Sequence, residues 1–172
     1  MFISKIPEKT SVFIDAIIFV YHFTANSRFN QACTNFLERV EKKELQGQTS
    51  VSIIQEVTHR IMIEEAAVLL PDIKTKDLVK HLKSHPDIVR KLEINNTIPV
   101  RINLLNVEIF PLDQGIIERS QQFKLKFGLL SNDALILQTM KDHNIVHLVS
   151  NDNDFKRIDF ITVYEPESQS IN

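Results

Sequence analysis

Five acids in this chain stand where apolar segments give way to polar ones: Asp15, Glu56, Asp133, Asp152 and Asp154. Asp15 follows "SVFI" directly. Glu56 sits among Ile53, Ile54, Val57 and Ile61. Asp133 belongs to "SNDALIL", and Asp152 and Asp154 belong to "SNDNDF", which continues the apolar run "VHLV". If these carboxylates converge, they cannot all stay charged unaided. Two carboxylates about 5 Å apart repel by roughly 3 kcal/mol at an effective dielectric near 20, and three or four raise one another's pKa unless a cation sits among them. A hard, all-oxygen donor set suits Mg²⁺ or Mn²⁺ rather than zinc. Such an ion holds a phosphate oxygen and acidifies a bound water, which suffices for phosphodiester hydrolysis without a protein nucleophile. Taken singly the acids have plainer roles. Asp133 suits a helix first turn, and "SNDND" is turn chemistry.

Convergence depends on the elements that carry the acids. Residues 11–15 read as a short buried strand ending on Asp15, followed by an apolar helix, "AIIFVYHF". The segment "SRFNQACTNFLERVEKKELQ" has Phe29, Cys33, Phe36, Leu37 and Val40 at helical spacing, and Gly47 reads as its stop. "QTSVS" is the next strand, with a helix from about Ser52 to Pro71. A charged helical region spans residues 75–93, interrupted at Pro86. "VEIFPL" is a strand, after which Asp113 caps a helix running towards Phe127. Ser131 or Asn132 caps the next helix, and "IVHLVS" and "FITVYEP" are strands. Alternating strands and helices imply an α/β fold, with a mostly parallel sheet covered on both faces and a helical elaboration around residues 71–105. In such sheets ligands bind outside the carboxyl ends of the strands, where Asp15, Asp152 and Asp154 fall by direct reading.

With 172 residues the chain suits one domain, residues 1–166, with a polar tail at 167–172. The three glycines argue against a glycine-rich phosphate loop and a turn-dense all-β fold. The single cysteine, Cys33, excludes an internal disulfide and fits a reducing, cytoplasmic setting. No apolar run is long enough to cross a membrane. A net charge of −2 carries no broad electrostatic signature of nucleic-acid binding, although Lys124, Lys126, Lys141, Lys156 and Arg157 flank the last acidic motifs and suit phosphate contacts. His59 and Arg60 follow Glu56 at pairing distance along a helix. His81 and His85 have the spacing of helical zinc ligands but no third partner, and read as a solvated face. "DNDFK" lacks the glycine and the oxygen ligand of a calcium loop.

Together, "VFIDAIIFVYHF", "TSVSIIQEVTHR", "LLSNDALILQTM" and "HLVSNDNDFKRI" resemble the four ordered motifs of the PIN-domain ribonucleases, a family that includes the toxins of VapBC-type toxin–antitoxin pairs. The similarity runs from Val12 to about Val163. It implies a three-layer α/β/α sandwich and a Mg²⁺- or Mn²⁺-dependent endonuclease acting on RNA. By the resemblance, Asp15, Glu56 and Asp133 are metal ligands, direct or through water, and Asp152 tunes the site or holds a second ion. Asp154 is a second candidate for the fourth acid, and Ser150 orients a carboxylate or a water. The implied partners are an RNA substrate, an antitoxin protein and a second copy of the chain. Two departures stand out: Ala16 replaces the threonine or serine of many members, and the stretch between Glu56 and Asp133 is longer than in compact toxins. A catalytically silent module of the same fold, binding RNA or protein, is the alternative reading.

Overall fold

A computed structural model describes residues 1–24 and 27–168 of the chain. Five parallel strands, β1 (Ser11–Ile14), β2 (Gln46–Ser50), β3 (Glu108–Phe110), β4 (His147–Val149) and β5 (Thr162–Tyr164), lie in the order β3-β2-β1-β4-β5. The helices are α1 (Ala16–Phe23), α2 (Asn30–Glu41), α3 (Val51–Leu69), α4 (Thr75–Ser84), α5 (Pro86–Val89), α6 (Glu93–Leu104), α7 (Gln114–Phe127) and α8 (Ser131–Asp142), with short 3-10 turns at Ile3–Lys5 and Asn153–Arg157. Crossover connections between the parallel strands lay the helices over both faces of the sheet, giving a three-layer α/β/α sandwich. The chain builds β1, β2 and β3 outwards in one direction, then crosses back to place β4 and β5 on the other side of β1. The gap between β1 and β4 is therefore the topological switch point, the place where such sheets open a crevice.

The strands form because their residues suit burial on both faces: Val12, Phe13, Ile14, Leu148 and Val149 are all fully buried. Leu37, Val40, Ile53, Val57, Ala134 and Leu137 press on them from the helices. A smaller apolar cluster of Ala66, Leu78, Leu82 and Leu92 joins α3 to α4 and the segment before α6. No helix among the described residues is long and apolar enough to cross a membrane.

Several boundaries differ from the sequence expectation. Gly47 does not stop α2; the helix ends at Glu41 and the chain turns through Lys43 at φ 61°. Gly47 lies inside β2, where a Cβ would stand 2.4 Å from Val40 Cγ1. Its role is to let α2 approach the sheet. Neither Ser131 nor Asn132 caps α8, since Leu130 holds the N-cap position. Residues 75–93 form two helices split at Pro86, followed by α6, which accommodates Pro99 in its interior. Of the expected tail, Glu167 and Ser168 lie outside helix and strand, and residues 169–172 lie outside the described residues.

Candidate metal centre

The end of β1 is tied to both the sheet and the following helix. Asp15 donates its backbone N–H to the Val149 carbonyl at 3.0 Å, extending the ladder by one residue. Its side chain caps α1, with Oδ1 accepting from the Ala16 N–H at 2.6 Å. The other oxygen, Oδ2, accepts from the Ser150 hydroxyl at 2.6 Å. Ser150 is itself held by its N–H on the Tyr164 carbonyl at 3.0 Å and receives the Asp152 N–H on its Oγ at 3.0 Å. One buried hydroxyl thus couples the acid after β1 to the loop after β4.

That loop turns sharply into the 3-10 turn. Asp152 caps it, accepting the Asp154 N–H at 2.8 Å. Asp133, in the first turn of α8, faces both residues. One carboxylate oxygen from each of Asp133, Asp152 and Asp154 can be chosen so that all three lie within 4.8 Å of one another. Glu56, in the second turn of α3, completes the wall opposite. It is tied to Arg60 at 2.9 Å and accepts from the Asn132 amide at 3.2 Å.

Asp15, Glu56, Asp133 and Asp152 line one cleft of about 270 Å³, together with Tyr21, Arg60 and Asn151. Ser150 stands behind it through Asp15, and Asp154 joins from the rim through the trio. The three acids assigned as ligands on the sequence thus share the cleft, but the tightest group is Asp133 with Asp152 and Asp154. Arg157 pairs with Asp154 at 3.3 Å. Lys156 is likewise paired, with Glu165.

The electrostatics record the crowding. Burial pushes the Asp15 carboxyl up to about 6; the Ser150 hydroxyl opposes this and the Glu56 charge adds to it. Burial also takes Asp133 to about 6, reinforced by the charges of Asp152, Asp154 and Glu56. The donors are all carboxylate oxygens, with no imidazole or thiolate among them, so the set fits a hard divalent cation. Cys33 is buried with its thiol pushed up to about 12 by desolvation, and takes no part.

Three polar residues here escape a reading by motif. Asn132 steadies Glu56 across the cleft. Tyr21 and Asn151 bond to each other at 3.1 Å along its wall. In the sequence Asn132 reads as a possible helix cap and Asn151 as part of a turn, and neither pattern signals these contacts.

Comparison with known proteins agrees with this architecture. The family model of the PIN domain matches residues 12–161. Ribonuclease VapC2 of Methanocaldococcus jannaschii is 30% identical over 161 residues, covering 92% of this chain and 95% of that protein. Ribonuclease VapC6 of the same organism is 23% identical over 154 residues, covering 90% and 96% respectively. The structure of VapBC2 from Rickettsia felis, bound to a DNA fragment from its promoter, matches with a TM-score of 0.57 at 19% identity, covering 92% of this chain and 100% of that one. A toxin–antitoxin complex from Klebsiella pneumoniae matches at 0.52 and 18% identity, covering 88% and 95%. At these identities the structural matches speak for the fold.

Proposed function

The chain belongs to the PIN-domain family, among the VapC-type ribonucleases, and from that premise we propose that it is a Mg²⁺- or Mn²⁺-dependent endoribonuclease. The observation that carries the reading is the convergence of Asp133, Asp152 and Asp154 within 4.8 Å beside Asp15 and Glu56. Asp15, Glu56, Asp133, Asp152 and Asp154 would hold the cation. When bound, the ion supplies Lewis acidity to a phosphodiester and a source of nucleophilic water.

The chain's own residues do the positioning. Ser150 fixes the orientation of Asp15 by donating to one oxygen, and the Ala16 N–H fixes the other. Asn132 and Arg60 hold Glu56 at the opposite wall. Burial, with the neighbouring carboxylates adding to it, raises the Asp15 and Asp133 carboxyls, and a cation entering at neutral pH would compensate both the lost hydration and the repulsion, which favours its binding. In this reading residues 1–166 act as one domain in the cytoplasm, with RNA as substrate. An antitoxin protein would restrain the enzyme, and a second copy of the chain would form a homodimer.

The test is calorimetric titration of the EDTA-stripped protein with Mn²⁺, run beside cleavage assays on single-stranded RNA with Mn²⁺, Mg²⁺ or EDTA. Saturable binding, cleavage with either metal and none with EDTA are expected. Absence of cleavage across varied RNAs with both metals would sink the proposal in favour of a silent binding module.

A further inference from the structure

One surface, along α7 and the end of α8 away from Asp133, carries chemistry that the metal site does not use. The rings of Phe123 and Phe127 on α7 and of Phe160, just before β5, form a mutual cluster. Their centroids are 5.8 Å apart for Phe123 and Phe160, 6.0 Å for Phe127 and Phe160 and 6.2 Å for Phe123 and Phe127. Phe123 is buried and Phe127 half-buried, but Phe160 is 41% exposed, so the cluster ends in solvent. Two ammonium groups lie over these rings: Lys126 Nζ is 4.8 Å from the Phe127 centroid and Lys141 Nζ 5.7 Å from that of Phe123. Both lysines are exposed, and neither is in an ion pair among the described residues. Phe123, Phe160, Lys126 and Lys141 line an open cleft of about 460 Å³.

The patch lies towards the amino ends of β4 and β5, with Asn144, Ile145 and Val146 in its lining, and a chain of contacts along the flank links it to the acid loop. Arg157 bonds Asp154 at 3.3 Å on one side and the Gly128 carbonyl at 3.4 Å on the other, and Gly128 directly follows Phe127. A single strand with a phosphate at the acids meets the ring-and-lysine surface only if it runs several nucleotides along this flank, past the Arg157–Asp154 pair.

A structural cluster would gain by burying Phe160, since leaving a large apolar side chain wet forfeits part of its transfer free energy. Rings offered next to unpaired ammonium groups match instead a ligand with flat faces and regularly spaced anions. We infer that this face is a platform for the flank of a single-stranded RNA, with one base stacking on Phe160 and the adjoining phosphates meeting Lys126 and Lys141. A duplex would present phosphates but no free base faces, and a protein partner would need acids set against both lysines. Naming RNA as the occupant rests on the ribonuclease reading, and the platform itself is tested without metal.

Fluorescence anisotropy in EDTA would compare binding of a labelled single-stranded RNA of about 12 nucleotides with that of a trinucleotide. Phe160→Ala should weaken the longer RNA by about fivefold to a hundredfold, the range for loss of one stack, and the trinucleotide, which spans the same base and phosphates, by a similar factor. Phe160→Trp should restore binding. Lys126→Ala should lower the salt dependence of log K by about 0.7. Equal affinity of Phe160→Ala and the parent protein for the longer RNA overturns the proposal. So does a change in oligomeric state of Phe160→Ala with RNA affinity intact, which would give this face to a protein contact. A parent protein that binds through Phe160 yet cuts no RNA with either metal upholds the platform and refutes the ribonuclease reading alone.

Discussion

At the carboxyl edge of the sheet, polar groups are held by short bonds and charges are crowded together. In α4 and the segment leading to α6, three apolar side chains pack with Ala66 of α3, and the charges face water. Asp15 accepts from both Ser150 and Ala16 at 2.6 Å while Glu56 and the Asp133 cluster lie across the cleft. Ala66, Leu78, Leu82 and Leu92 are instead almost fully buried and bear no chemistry. The first region stores unfavourable charge that a cation would relieve, and the second contributes packing. Activity and stability should therefore respond to different substitutions.

The sharpest separation is expected at Asp133. Asp133→Asn should lower kcat/KM for RNA cleavage by roughly 10³-fold, the scale of several kcal/mol of lost charge stabilisation. Its melting temperature should hold or rise, because a repulsive charge has gone. A melting temperature that collapses together with activity would erase the contrast between the regions. Leu78→Ala is the reciprocal case. It should cost about 2–5 kcal/mol in denaturant unfolding while cleavage per folded molecule stays at the parental level.

The pH dependence sharpens the same contrast. Asp15 and Asp133 both titrate near 6 when folded, against about 4 for an unfolded aspartate. The folded chain therefore keeps protons that the unfolded chain has released. The stability they contribute is full below about pH 4 and is lost as pH rises through about 6. In EDTA these two groups should cost the protein about 1–2 kcal/mol across that window after solvent screening. Mn²⁺ at pH 7 should recover it, and Asp133→Asn should flatten the profile. Melting curves taken with and without metal measure all three. The smallest effect is expected at Glu65, which accepts from the Ile94 and Asn95 N–H groups at 3.1 and 2.9 Å where α6 begins. Glu65→Ala should cost about 1 kcal/mol and leave metal affinity untouched.

Legibility in the sequence follows the same division. The strand at "SVFI" and the helix "AIIFVYHF" are plain because apolar runs end abruptly on an acid. The parallel order of the sheet follows from the alternation of elements. The acids could be nominated because carboxylates bordering buried chain need an explanation. The helical elaboration around residues 71–105 was legible, but not α6 as a separate helix, because "EINNTIPVRINL" has an internal proline and no side-chain cap, and its bounds are fixed by burying Ile98 and Ile102. Gly47 misled because a glycine after a helix usually ends it, whereas here it makes room for Val40. Ser150 was found by its place in a motif. The Asn132–Glu56 bond joins residues 76 positions apart, and no local pattern encodes such a meeting. For the same reason, the contribution of Asp154 to the tightest trio required the folded loop.

The bond between Ser150 and Asp15 spans 135 residues of chain. During synthesis Asp15 leaves the ribosome first, and Ser150 is made on the order of ten seconds later at ordinary elongation rates. Asp133, Asp152 and Asp154 also arrive in that last stretch. A nascent chain halted before them carries Asp15 and Glu56 alone, two acids on a sheet whose β4 has not yet been added. Assembly of the cleft therefore waits on Ser150 and the three late acids, and a chain without them lacks the carboxylate trio and the hydroxyl that orients Asp15.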